Sequence, residues 1–237
     1  MKISAVMPSH NEEALLRDSV EAVASGLRAR GDPFEVIIVE NGSTDSTLEL
    51  AHELADAHEE VHVLSLDVAD YGAALRAGLL DASGDVVVNF DVDYYDLDFL
   101  ATSLGLVGSA PRPAIVVGSK RAPGADDRRV WPRRVVTWGF TSLLHVLFRL
   151  RVSDTHGLKA MQRVRVTELA RRCRFHADLF DTELVIRAER AGLGVAEVPV
   201  TVSERRPSRT PIVRRVPRSL WGLVRLRAAR SREREPT

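Results

Sequence analysis

The sequence predicts an α/β fold with a mainly parallel central sheet flanked by helices. Short apolar, β-rich runs alternate with segments of helical spacing, and the polar clusters fall just after those runs. Ile3–Met7 is the first predicted strand and Glu12–Arg28 the helix that follows it. Phe34–Val39 and Thr44–Ala57, Val61–Leu64 and Tyr71–Asp81, then Val86–Phe90 and Asp98–Val107 repeat the unit, and Ala114–Val117 is a fifth strand. Alternation of this kind implies right-handed crossovers, and ligands in such sheets sit beyond the carboxyl ends of the strands. Farther on, the uncharged run Val135–Phe148 suits a buried or interfacial helix. Asp178–Ala191 is predicted helical, Val195–Val202 extended, and Ile212–Ala229 a basic amphipathic helix. Residues 1–210 are expected to form the main domain, with 211–237 a basic amphipathic helix and tail.

Composition narrows the function classes. With 237 residues, 45% of them apolar, the chain has enough material for one good-sized core. One cysteine, Cys173, rules out an internal disulfide and a cysteine-rich zinc cage. The first residues reach charge too early for a signal peptide, and no run of 18 uncharged apolar residues follows, so no membrane span is expected. The formal net charge of zero hides an asymmetry: residues 1–100 carry a net of −16 and residues 101–237 a net of +16. Such an acidic half would repel DNA, and groove-reading motifs are missing, so nucleic acid is not an expected partner.

Two strand ends stand out. Asp91-Val92-Asp93 closes the run VVVNF, and carboxylates packed this densely repel one another unless a cation or donors neutralise them. Hard oxygen ligands favour Mg²⁺ or Mn²⁺, and an EF-hand is excluded because Asp96 stands where that loop needs glycine. Glu40-Asn41-Gly42-Ser43-Thr44-Asp45 reads as a turn and helix cap, except that capping does not explain Glu40. A carboxylate there can accept from a base N–H or a ribose hydroxyl.

Taken together, Pro8-Ser9-His10-Asn11-Glu12-Glu13, the Glu40–Asp45 segment, Tyr71-Gly72-Ala73-Ala74 and Phe90-Asp91-Val92-Asp93 resemble, in order and spacing, the family 2 glycosyltransferases. Asp154–Lys159, Thr182–Val185, Glu197–Val200 and Arg205–Arg209 are similar to the polyprenyl (dolichyl) phosphate mannosyltransferase and glucosyltransferase branch. The resemblance covers roughly residues 2–210 and implies the Rossmann-like GT-A fold. It places Pro8, Asn11, Glu12, Glu40, Asp45 and Gly72 around the nucleotide, and makes Asp91 and Asp93 the ribose and metal–diphosphate pair. Lys120, Arg121, Arg205 and Arg209 fall at its phosphate-facing cations. Tyr95 stands where that branch often has glutamine.

The resemblance implies inverting transfer of mannose or glucose from GDP-mannose or UDP-glucose to a polyprenyl phosphate, with Mg²⁺ or Mn²⁺. An anionic phosphate acceptor needs no protein base. Asp181 and Glu183 are the reserve bases, His156 reads as a loop residue, and Cys173 and Trp131 read as packing residues. The expected location is cytoplasmic, peripheral at the membrane face or held there by a membrane partner subunit, with Arg133, Arg134, Arg214, Arg215 and Arg218 at the lipid surface. The alternatives are transfer to a hydroxyl of a soluble glycan or small metabolite, and a catalytically silent scaffold.

Overall fold

The structure, a computed structural model, describes residues 1–110, 112–127, 131–148, 150–175, 179–202, 221–225 and 227. In chain order the elements are β1 (Ile3–Ser9), α1 (Leu16–Arg30), β2 (Phe34–Asn41), α2 (Thr47–Ala57), β3 (Val61–Leu66), α3 (Tyr71–Asp81), β4 (Val86–Asn89) and α4 (Leu97–Gly108). They continue as β5 (Ile115–Ser119), β6 (Asp126–Asp127), α5 (Trp131–Phe148), β7 (Lys159–Gln162), α6 (Arg163–Arg172), α7 (Phe180–Arg190), β8 (Val195–Pro199) and β9 (Thr201–Val202). Seven strands form one sheet in the order β3-β2-β1-β4-β7-β5-β8, and β6 pairs with β9. Every pairing in the large sheet is parallel except those that β7 makes with β4 and β5.

Alternation along each strand builds a core on both faces of the sheet. Ile3, Ala5, Met7, Val36, Ile38, Val86 and Val88 pack with α1, α2 and α4 on one face. Val6, Ile37, Val39, Val87, Ile115 and Val117 pack with α3, α6 and α7 on the other. Helix α3 approaches the sheet closely through Gly78, where a Cβ would lie 2.3 Å from Val6 Cγ1.

Strand order reverses between β1 and β4: the chain steps outward from β1 through β2 to β3, then α3 carries it back to β4 on the far side of β1. This is a topological switch point, where the loops after β1 and β4 diverge and open a crevice. Because β5 runs parallel to β4, the segment after β5 emerges at the same edge, and the segment entering the antiparallel β7 begins there.

The structure shifts several expected boundaries. Helix α1 begins at Leu16 because the Glu12 carbonyl accepts the N–H groups of Leu15 and Leu16 in a preceding turn. Helix α2 begins at Thr47, since Asp45 turns onto the Thr47 N–H. The expected strand Val195–Val202 divides at Val200, whose N–H bonds Ser119 before the chain joins β6. Strand β7 was not expected: it is four residues long and opens on a lysine. The expected helix Ile212–Ala229 lies largely outside the described residues, although residues 221–225 are helical. Trp131 is no packing residue, being 73% exposed.

Candidate functional site

Hydrogen bonds join the loops at the switch point into one wall. Asn11 is the one non-glycine residue at positive φ among those described, at 55°, a conformation asparagine tolerates. Its Oδ1 accepts the Thr44 N–H at 2.7 Å, while its own N–H donates to Ser43 Oγ. The Glu12 N–H donates to Thr47 Oγ1, which ties the β1–α1 loop to the start of α2. Pro8 lies in β1 opposite Val39, and Ser9 opposite Glu40. Asn41, oriented by its partners, donates to the Ser9 carbonyl and accepts from the Asp70 N–H. Asp70 then caps α3 through the Ala73 N–H, with Gly72 buried in that first turn.

Glu40 and Asp45 both make hydrogen bonds within the fold. Glu40 is buried, its Oε1 accepting the Ser43 N–H at 2.5 Å and its Oε2 the Ser65 hydroxyl at 3.0 Å. Helix capping does not explain Glu40, as expected from sequence; its oxygens hold the turn through Ser43 and tie it to β3 through Ser65. Burial pushes the Asp45 carboxyl up, but bonds from the Thr47 hydroxyl and N–H outweigh it and hold Asp45 below the usual range.

Asp91 and Asp93 sit on a tight turn just past β4. Backbone bonds run both ways between Asp91 and Tyr94, and the buried Val92 between the aspartates has its carbonyl held by Ser19 Oγ. Burial, and then the Asp93 charge, push the Asp91 carboxyl up to about 6; the Tyr71 hydroxyl bond at 3.0 Å acts against them. The turn thus brings two carboxylates close enough to feel each other's charge, a donor set that suits a hard divalent cation. No group of three or more His, Cys, Asp or Glu able to hold a metal occurs among the described residues, so diphosphate oxygens and water would complete its shell. Tyr95 packs against the core, and Asp96 caps α4 through the Phe99 N–H.

The cations divide into engaged and open groups. Lys120 lies 3.1 Å from Asp154 and donates to the His156 carbonyl, which braces the loop entering β7. His156 lies in that loop, as expected, with its N–H on Asp154 Oδ1. Arg121 follows β5 on a turn that Ser119 Oγ caps, and its Nη1 is buried without a hydrogen-bond partner among the described residues. A buried guanidinium nitrogen left open this way suits an anion. Arg205 and Arg209 lie outside the described residues.

Sequence reasoning missed Lys159 and gave Tyr71 no role. Lys159, fully buried opposite Asn89, lies 2.9 Å from Asp181 Oδ1 at the start of α7. That contact is electrostatic, since Lys159 Nζ directs its hydrogen bond at the Gly157 carbonyl. The available signal was scarcity: the chain has three lysines, and two of them lie in buried pairs. Glu183 is saturated by the N–H groups of Arg174 and Phe175 and by the Arg187 guanidinium.

Comparison with known proteins bears on this geometry. The family model for glycosyl transferase family 2 matches residues 4–169. The glycosyltransferase AglD of Haloferax volcanii is 33% identical over 221 residues, covering 90% of this chain and 35% of AglD. A dolichyl-phosphate beta-glucosyltransferase of Drosophila melanogaster is 30% identical over 221 residues, covering 86% of this chain and 68% of that protein. The chain thus spans about a third of AglD and about two thirds of the dolichyl-phosphate beta-glucosyltransferases it matches. Glucosyl-3-phosphoglycerate synthase from Mycobacterium tuberculosis, solved with Mn²⁺, UDP-glucose and phosphoglyceric acid, superposes with a TM-score of 0.63 at 23% identity, covering 87% of this chain and 72% of that one. At that identity the likeness establishes the GT-A fold.

Proposed function

The chain belongs to glycosyl transferase family 2, and from that premise we propose that it moves a hexose, mannose or glucose, with inversion, from a nucleotide sugar to a polyprenyl phosphate. The observation that carries this reading is the negatively charged Asp91–Asp93 turn at the switch point, hydrogen-bonded through Tyr71 to the helix that follows β3. Asn11, Glu12 and the Glu40–Asp45 turn form the nucleoside side of the crevice, and Asp91 and Asp93 hold the metal and diphosphate. When bound, Mg²⁺ or Mn²⁺ neutralises the leaving diphosphate. Glu40 acts by shaping the turn, since its oxygens already serve Ser43 and Ser65.

A hydroxyl acceptor needs a base, and the two reserve carboxylates are poorly placed for that work. Asp181 is paired with Lys159, and Glu183 is filled by four donors. A phosphate monoester arrives already anionic, so cations that align it behind the anomeric carbon suffice. Arg121 supplies one, with Arg205 and Arg209 assigned the same task from sequence.

The acceptor's lipid tail gives α5 a purpose. Trp138 is 61% exposed, and Trp131, Val135 and Val146 are exposed with it, while Leu144 and Phe148 anchor the helix to α7. Among the described residues no helix is long and apolar enough to cross a membrane. The helix instead lies in the lipid interface, with Arg134 near the headgroups. Incubation with labelled GDP-mannose or UDP-glucose, Mn²⁺ and vesicles containing polyprenyl phosphate tests the reading. Label in the organic extract supports it; label only in the aqueous phase rejects the lipid acceptor, and no turnover with any donor supports the silent scaffold.

A further inference from the structure

Glu197 lies in β8 in register with Val117 of β5, so its side chain and that of Ser119, two residues farther along β5, leave the sheet on the same face. One carboxyl oxygen of Glu197 gathers three donors from the segment that enters β7. They are the Ser153 N–H at 2.8 Å, the Ser153 hydroxyl at 2.7 Å and the Asp154 N–H at 3.2 Å. Ser153 Oγ lies 2.7 Å from Ser119 Oγ, which in turn accepts the N–H groups of Arg121 and Ala122, both at 3.1 Å. A chain of hydrogen bonds thus runs from a carboxylate on β8 to the backbone that carries Arg121.

The carboxylate sets the direction of every bond in this chain. It only accepts, so the Ser153 hydroxyl directs its one proton at Glu197. Ser119 is then the donor between the two hydroxyls, which leaves both lone pairs of its oxygen to the Arg121 and Ala122 N–H groups. Reversed, the fully buried Ser119 oxygen would face three donors with two lone pairs, and its own proton would lose its acceptor. Bracing two loops does not require this polarity; holding the turn at Arg121 in one conformation does. The same Glu197 oxygen fixes Asp154, which pairs with Lys120 at 3.1 Å, so both cations that follow β5 are tied to it.

We infer that Glu197 is a positioning residue for the acceptor: through Ser153 and Ser119 it fixes the turn that aims the Arg121 guanidinium at the acceptor's phosphate. The inference rests on the assignment of Arg121 to that phosphate.

Steady-state transfer by the full chain, with polyprenyl phosphate in vesicles and the nucleotide sugar varied in turn, tests it. Glu197→Ala is expected to raise the acceptor KM at least about tenfold and to change the donor KM by less than about twofold. Glu197→Gln keeps an oxygen that accepts from Ser153 and should recover most of that loss. Ser153→Ala, a smaller change, should reproduce the selective rise in acceptor KM, and it decides the matter should Glu197→Ala fail to fold. In an Arg121→Ala background, Glu197→Ala should add less than about twofold, because the group it positions is gone. Equal acceptor KM in wild type, Glu197→Ala and Ser153→Ala, a loss shared evenly by donor and acceptor, or a full further loss in the Arg121→Ala background overturns the inference and leaves sugar transfer standing. A wild type that transfers nothing to polyprenyl phosphate overturns the acceptor reading, and this role with it.

Discussion

The Tyr71 hydroxyl donates to Asp91 Oδ1 at 3.0 Å, so the helix entered from β3 steadies the carboxylate that follows β4. Burial and the Asp93 charge favour protonation of Asp91, and the tyrosine opposes it. Tyr71→Phe is therefore expected to raise the Asp91 pKa further above about 6 and to move the acid limb of kcat/KM for the donor toward higher pH. One lost hydrogen bond predicts a drop of about fivefold near pH 6.5, recovered toward pH 8. A drop equal at both pH values means that Tyr71 acts by packing alone.

Lys159 and Asp181 form a buried ion pair beneath the crevice. Removing one partner strands the other charge, so Lys159→Met and Asp181→Asn are each expected to cost about 3 kcal/mol in urea unfolding. The double variant Lys159→Met/Asp181→Asn should cost less than the sum of the two. Additive losses show that the charges do not sense each other.

At the opposite edge of the sheet, Glu35 receives bonds from Ser4 Oγ and from Ser83 N–H and Oγ, and lies 2.9 Å from Lys2 Nζ. Burial alone would push its carboxyl up, but these partners prevail and hold it at about 2. A lowered pKa stabilises the fold above the unfolded value of 4.5, and that contribution is lost as pH falls from there toward 2. Thermal melts between pH 5 and pH 2 should show the wild type losing about 2 kcal/mol more than Glu35→Gln. Parallel curves for the two proteins contradict the assignment.

The exposed tryptophans of α5 give a surface prediction. Trp131→Ser/Trp138→Ser should leave urea unfolding nearly unchanged and reduce flotation with anionic vesicles by about tenfold, the loss of two aromatic anchors. Undiminished flotation moves the lipid contact elsewhere on the chain.

The strands and the switch-point residues were legible in the sequence because buried parallel strands are written as runs of valine and isoleucine, with polar residues concentrated where each run stops. Strand β7 was not, because Lys159 reads as a surface residue until Asp181, 22 positions away, comes beneath it. Glu40 was legible only in part: its partner Ser65 comes from the neighbouring β3, which a local reading of the turn does not reach. The exposed face of α5 was similarly hidden, since fourteen uncharged residues look the same whether they face a core or a bilayer.

The central claim is that Asp91 and Asp93 gather a divalent cation and a nucleotide diphosphate at the switch point. Calorimetric titration of GDP and UDP, with and without Mn²⁺, into the wild type and Asp93→Asn measures it directly. The account predicts binding of one of the two nucleotides that requires Mn²⁺ and falls at least about tenfold in Asp93→Asn. Binding of equal strength without metal, or undiminished in Asp93→Asn, contradicts it.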